Sequence, residues 1–317
     1  MKFALDAQQR DFAASIDAAL SAADVPAAVR AWSARDTAPA RKIWSQLGEL
    51  GVTALAVDED FDGMAAHPID LVVACEGLGR WGVPGPVAES LAVAPILLRG
   101  DQRSAALAAG DLIVTVALEP GVPRAVNADF AGLVLLGSAG TASEGTAGAA
   151  HDSVDPTRRL FDVTATGQPW AADTAYAYEY GALATSAQLI GAGQAMLDMS
   201  VAYAKQRSQF GRIIGSYQAI KHKLADVHIA VELARPLVYA AALALAENSP
   251  DTPRDVSAAK AAASDAALVS ARAALQTHGA IGYTAEHDLS QLLLRVQALR
   301  AAWGDPASHR RRVLEGL

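Results

Sequence analysis

The strongest constraint on this chain is a series of apolar stripes at helical spacing in its C-terminal part. Ile220, Leu224, Val227, Val231 and Val238 lie 4, 3, 4 and 7 positions apart, so one face of a single helix is apolar along its length. Upstream, the segment from Tyr178 through Gln206 is long and rich in alanine. Downstream, Thr252-Pro253 read as N-cap and first helical residue. They open a helix predicted to run to about His278, with an apolar face of alanine plus Leu268 and Leu275. Leu289, Leu292, Leu293, Val296 and Leu299 mark another. Alanine favours helix and lets helices approach closely. Such helices in series bury their stripes against one another, which predicts a four-helix bundle from about Thr174.

The rest of the chain is organised differently. Asp6 can cap a first helix whose apolar face holds Phe12, Ile16 and Leu20. A second begins near Thr37, with Pro39 early and Ile43, Trp44, Leu47 and Leu50 on one face, punctuated by Gly48 and Gly51. The run Asp58 to Gly63 reads as a loop, and Ile69 to Gly79 as a helix closed by glycine. Leu112 to Leu118, Leu133 to Leu136 and Arg159 to Thr164 read as short strands, whereas the Gly/Ala/Ser/Thr-rich stretch Ser138 to Ala150 reads as loop. The predicted fold is mainly α with a small β domain. Its parts are an N-terminal helical domain (1–109), a reduced middle β domain (110–172) and the C-terminal bundle (173–317).

Composition narrows the function. At 317 residues and 52% hydrophobic, the chain can fill a core without disulfides or metal. With 26 Lys+Arg against 34 Asp+Glu, its net charge is −8. It therefore lacks the sustained basic character of a nucleic-acid binder. Cys75 is the single cysteine, which excludes an intramolecular disulfide and a cysteine-cluster zinc site. The first residues show no signal-peptide core, and the longest strongly apolar stretch, Pro236 to Ala246, is too short to cross a bilayer. The expectation is a cytoplasmic protein with no membrane partner. No metal is expected either. The acids of Asp58 to Gly63 resemble a calcium loop, but the twelfth position from Asp58 is Ile69, not glutamate. His222 and His228 lie six apart, off the spacing of a shared ligand pair.

Two segments carry possible chemistry. In the first, Arg207-Ser-Gln-Phe-Gly-Arg212 is read as a helix ending at Phe210-Gly211, followed by a turn and a new helix from Ser216. Arg207 is either a solvated helix-end residue or a bidentate phosphate ligand beside a helix start. In the second, Gln276 to Glu286 holds Gly279 and Gly282 between two helices. They are either an ordinary glycine-capped connection or a place where backbone approaches a ligand. In this order and at this separation, the segments resemble the acyl-CoA dehydrogenase family. The matches are Arg207, Phe210 and Gly211; then Gln218, Lys223, Leu224, Ala225 and Asp226; then Gln276, Gly279, Gly282 and Tyr283. Ala280 replaces the family's second glycine. The N-terminal half agrees more loosely, through Trp44, Leu47-Gly48, Gly51, Phe61-Asp62-Gly63 and Glu76-Gly-Leu-Gly79.

The resemblance implies FAD as cofactor and α,β-desaturation of an acyl-CoA thioester. A glutamate would remove the α-proton and the flavin would accept the β-hydride. It also implies an electron-transfer flavoprotein or similar acceptor. Arg207, Gln209, Phe210, Tyr217, Gln218, Gln276, Gly279 and Ala280 are the cofactor-binding residues it implies, reaching the adenine–pyrophosphate end of FAD on a neighbouring subunit. The two family positions for the base, however, fall on Gly304 and Gly181. Glu179 and Asp305 are the nearby carboxylates. Glu179 reads as a solvated helix-start residue or a displaced base, and Asp305 as a shorter acid one residue out of place. The segments that cover the flavin ring are also missing: Leu118-Glu119-Pro120 lacks its continuation, and Trp170 lies in no matching strand. Retained and lost parts together resemble the non-catalytic subunit of the heteromeric α2β2 acyl-CoA dehydrogenases of actinobacteria that act on steroid-derived thioesters. A homologous full-length partner would then supply the glutamate, bind most of the acyl-CoA and share the FAD. A self-sufficient homomer using Glu179 or Asp305, and a flavin-free scaffolding relative, remain as alternatives. His278 reads as a helix-end residue. His309 to Arg312 reads as a solvated basic tail or a contact to a CoA phosphate or partner.

Overall fold

The computed structural model describes residues 4–317. Helix α1 (Ala7–Ala22) starts in a capping box: Asp6 accepts from the Gln9 amide while the Gln9 side chain accepts from the Asp6 amide. Ile16 and Leu20 are its buried residues, as their spacing predicts. Helix α2 (Val25–Ser33) has no counterpart in the sequence expectations; α3 (Ala38–Glu49) does, and buries Ile43, Trp44 and Leu47. Helix α4 (Pro68–Trp81) runs past Gly79 and ends at Gly82, which takes the left-handed conformation of a C-cap. Gly79 is thus an interior residue. After a buried π-turn at Glu89–Val93 come the short helices α5 (Ala94–Leu97) and α6 (Arg103–Ala109).

The five-stranded sheet has the order β1 (Val114–Glu119), β3 (Leu133–Ser138), β4 (Thr141–His151), β5 (Leu160–Ala171), β2 (Ala125–Val126). β1 and β3 are parallel, and β3–β4, β4–β5 and β5–β2 antiparallel. β4 overturns the expectation of a loop over Ser138 to Ala150. Its Gly/Ala/Ser/Thr residues lack apolar alternation because most of the strand faces solvent on both sides.

Helices α7 (Thr174–Gln206), α8 (Gln218–Ala246), α9 (Thr252–His278) and α10 (Leu289–Ala301) form the bundle, with α11 (Pro306–Glu315) packed on α9. The cap of α9 is Asp251, one residue before the expected Thr252. Between α7 and α8, a hairpin of β6 (Ser208–Gln209) and β7 (Arg212–Ile213) stands where a helix end was expected. Phe210 and Gly211 both have positive φ at its tip, the geometry of a two-residue hairpin turn. α8 begins at Gln218 rather than Ser216. Its 29 residues have the length and apolar content of a membrane span, but Val227, Val231, Val238, Ala241, Ala242 and Leu245 are buried in the bundle.

α7 and α4 cross at backbone contact. A Cβ on Gly191 would lie 1.9 Å from the Glu76 carbonyl oxygen, and one on Gly79 2.2 Å from the Gln188 carbonyl oxygen. Ion pairs Arg80–Asp198 and Arg235–Glu76 flank the crossing. Gly→Ala within a helix ordinarily stabilises by about 1 kcal/mol. Here Gly191→Ala is expected to destabilise by roughly 2–3 kcal/mol, because the helices must separate. Urea denaturation measures it, and a gain in stability would contradict the close crossing.

Candidate functional site

The C-terminal end of α7, the β6–β7 hairpin, the start of α8 and the end of α9 enclose an open concavity of about 480 Å³. Six of the eight residues named from sequence line it: Arg207, Gln209, Phe210, Tyr217, Gln276 and Gly279. Gln218 and Ala280 are exposed and lie outside its lining. The hairpin is fastened at several points. The Ile214 amide donates to the Arg207 carbonyl at 2.8 Å, and the Tyr217 hydroxyl to the Gln209 carbonyl at 3.3 Å. The Arg212 guanidinium lies over the Tyr217 ring, 3.9 Å from its centroid. Gly215 packs so closely on α7 that a Cβ would lie 2.8 Å from the Ala204 carbonyl oxygen.

On the opposite wall, Gln276 Oε1 accepts from Lys223 Nζ at 2.5 Å, which leaves the Gln276 amide group as donor. His278 is the last residue of α9, as expected. Its Nδ1 bonds the Ala274 carbonyl at 2.9 Å and its ring stacks on Tyr203. Burial lowers its pKa, so the ring is neutral at neutral pH. Gly279 has φ +68 and nothing within 4 Å of where a Cβ would be, so its backbone is open to approach. Arg207 has no hydrogen-bonding or ion-pair partner for its side chain among the described residues, and Phe210 is 91% exposed. The surface therefore offers an uncompensated guanidinium, amide donors and a free aromatic face, a set suited to a phosphate bearing an aromatic base.

Gly181 and Gly304, the two positions at which the sequence resemblance places a base, lie elsewhere and meet at Trp303. This residue is fully buried, at φ +56. Its indole packs on Gly181, where a Cβ would lie 2.4 Å from the ring. Its Nε1 donates to Glu89 Oε1 at 2.9 Å. Gly304 follows at φ +93, and a Cβ there would lie 2.5 Å from His309 Nε2. Neither glycine has room for a side chain. Glu179 is buried rather than solvated, because Arg312 of α11 binds its carboxylate at 2.5 Å. Burial raises its pKa and Arg312 opposes the rise. Asp305 caps α11, accepting from the Ser308 amide at 2.9 Å and the Ala307 amide at 2.8 Å. Those amides, the Ser308 bond foremost, lower its pKa. The segment read as a solvated basic tail is thus a docked helix with His309 buried and Arg310 paired to Asp265. Trp170 is tied by its Nε1 to the Leu97 carbonyl at 2.9 Å.

A buried lysine holds the Trp303–Gly304 corner. Lys260 Nζ donates to the carbonyls of Gly304 at 3.0 Å, Arg300 at 3.2 Å and Leu299 at 3.3 Å, satisfying the end of α10. His309 Nε2 bonds the Trp303 carbonyl at 2.8 Å. Lys260, Glu89 and Trp303 were absent from the sequence-derived set of functional residues. A lone charge inside the alanine face of α9, and a lone acid in the apolar run 86–98, were the signals that could have found the first two. Burial and the nearby Arg300 charge lower the Lys260 pKa from 10.5 to about 7. Between those values the unfolded chain holds the proton that the folded chain has lost, so this lysine makes stability rise with pH. Lys260→Met is expected to flatten that rise in urea denaturation from pH 6 to 10. An unchanged slope would contradict the assignment.

Comparison with known proteins places this architecture. Residues 6–106 match the acyl-CoA dehydrogenase N-terminal domain and residues 172–317 the C-terminal domain. The acyl-CoA dehydrogenase IpdE2 of Mycobacterium tuberculosis (strain ATCC 25618 / H37Rv) is 35% identical over 277 residues, covering 83% of each chain. IpdE2 of Mycolicibacterium smegmatis (strain ATCC 700084 / mc(2)155) is 34% identical, over 91% of this chain and 92% of its own. Among solved structures, the Tcur3481–Tcur3483 steroid ACAD superposes with a TM-score of 0.87 at 20% identity, over 98% of this chain and 97% of that one. The ChsE4–ChsE5 complex from Mycobacterium tuberculosis does so with a TM-score of 0.81 at 20% identity, over 99% and 98%. These structural likenesses establish the fold, and the domain matches with the two IpdE2 relatives establish the lineage: this chain belongs to the acyl-CoA dehydrogenase family.

Proposed function

We propose that this chain is the non-catalytic subunit of a hetero-oligomeric, FAD-dependent acyl-CoA dehydrogenase, an α2β2 assembly with a homologous full-length partner in the cytoplasm. The observation that carries this reading is Trp303. Its indole fills the space above Gly181, and Gly304 beside it admits no side chain. Both positions aligned with the family base are closed by packing. The two nearby carboxylates are committed to other bonds, Glu179 to Arg312 and Asp305 to the first turn of α11. This disfavours a self-sufficient homomer. Abstraction of a weakly acidic α-proton needs a base aimed at it in a water-free site, which the partner would supply.

The open surface fits the other end of the cofactor. Arg207 would hold the pyrophosphate and Gln276 would donate a hydrogen bond. Gly279 would let backbone approach, and Phe210 would offer its ring. When bound, FAD accepts the hydride that leaves the β-carbon of the thioester. The residues of this chain bind and orient; they move no proton. The steroid enzyme and the two-chain complex among the structural relatives support a steroid-derived acyl group and a paired assembly. An electron-transfer flavoprotein or similar carrier would take the electrons.

In the co-expressed complex, Arg207→Ala is expected to weaken FAD retention roughly tenfold or more, since it removes a charge-assisted phosphate contact. Gln276→Ala removes one neutral bond and is expected to cost less. Flavin absorbance after gel filtration measures both. Unchanged occupancy in both variants would contradict the reading and favour a flavin-free scaffold.

A further inference from the structure

One lysine outside the open concavity decides what the concavity's far wall can offer. Gln276 sits exposed in the last turn of α9 and lines the concavity. Lys223, in the second turn of α8, does not line it, yet its Nζ donates to Gln276 Oε1 at 2.5 Å. Among the described residues this is the one side-chain hydrogen bond that either residue makes. Lys223 forms no ion pair there, although Asp226 follows one turn later on the same helix. The lysine is thus committed to the glutamine and not to the nearby acid.

That bond has a polarity. An ammonium carries three donors and no acceptor, so it can face only the oxygen of the Gln276 amide. Both N–H bonds of Nε2 then remain for a ligand. Without Lys223, no hydrogen bond on the described chain would distinguish the two ends of that amide. Turned over, the amide would set its carbonyl oxygen against the oxygens of a phosphate, acceptor against acceptor. Arg207, on the opposite wall, is likewise a donor without an acceptor. The two side chains therefore offer donors alone, which matches a pyrophosphate, whose exposed oxygens all accept. Holding an exposed glutamine in place beforehand also lowers the cost of ordering it when the ligand binds.

We propose that Lys223 is a positioning residue for the shared cofactor: it holds the Gln276 amide in the one orientation that donates to the pyrophosphate of FAD, and does not touch the cofactor itself. This rests on the reading of the Arg207–Gln276 surface as a cofactor wall.

The test is a double-mutant cycle in the co-expressed complex, read as the FAD dissociation constant from the fluorescence of released flavin. Lys223→Met keeps the aliphatic stem and removes every donor. It is expected to weaken FAD about three- to fivefold, close to the loss in Gln276→Ala. In the Gln276→Ala background the same substitution is expected to cost nothing further, because the lysine acts through the glutamine. Lys223→Arg, which retains donors and charge, is expected to recover most of the affinity. The loss in Lys223→Met should be the same at about 50 mM and about 500 mM NaCl, whereas a direct pull of the ammonium on the pyrophosphate would be screened. A lysine that only stabilised the end of α9, or only attracted the phosphate, would cost the same with and without Gln276. An additive cycle therefore overturns the proposal, as does a Lys223→Met complex that binds FAD normally while Arg207→Ala weakens it. If Arg207→Ala also leaves FAD binding unchanged, the cofactor-wall reading fails and this proposal falls with it.

Discussion

The close approach of α4, α8, α9 and α10 to a single helix, α7, is the constraint on which the rest of the molecule depends. A helix packed on several sides must present small residues on several faces. α7 does so with Gly191 against α4, Gly193 against Ala267 and Ser270 of α9, and alanine and serine between. Packing density then comes from backbone contact as well as from large side chains. The same property has a chemical consequence at Gly181. A helix position without a side chain leaves room, and the indole of Trp303 occupies it.

The molecule thus has a closed end and an open end. At the closed end, the Trp303–Gly304 corner is over-determined. Lys260 ties its carbonyls, His309 bonds the Trp303 carbonyl, and Glu89 takes the indole N–H. Burying an ammonium for this purpose is costly unless every proton finds an acceptor, and here three carbonyls and Ser264 surround it. At the open end, the hairpin holds the Arg207 guanidinium with no hydrogen-bonding or ion-pair partner among the described residues and the Phe210 ring exposed, and the end of α9 leaves the space beside Gly279 open. The Trp303–Gly304 corner is thus packed shut, whereas the wall formed by the hairpin and the end of α9 is exposed.

The parts legible in the sequence were those whose signal is local. The stripe from Ile220 to Val238 announces α8 because large apolar residues recur at helical spacing, and Asp6 as cap with Phe12, Ile16 and Leu20 on one face announces α1. The Arg207 and Gln276 segments were found as motifs, and the fold brings them to one concavity. What was not legible depends on tertiary partners. β4 is polar and small along its length and is a strand only because β3 and β5 bond it on both sides. α11 has little apolar surface and docks through His309, Arg310 and Arg312, which in sequence look like a solvated tail. Gly79 resembles a helix stop, and its interior role is visible only with α7 laid across it. Trp303 filling the space over Gly181 joins residues far apart in the chain, and no local pattern could show it.

The proposed division of labour is tested most directly by flavin stoichiometry. The chain alone, and the chain purified with its full-length partner, are each assayed for FAD content and for bleaching by acyl-CoA. The proposed function predicts no flavin on the isolated chain, and one FAD for each pair of unlike chains in the complex. An isolated chain that carries FAD and is bleached by acyl-CoA would show a reactive site of its own and contradict it.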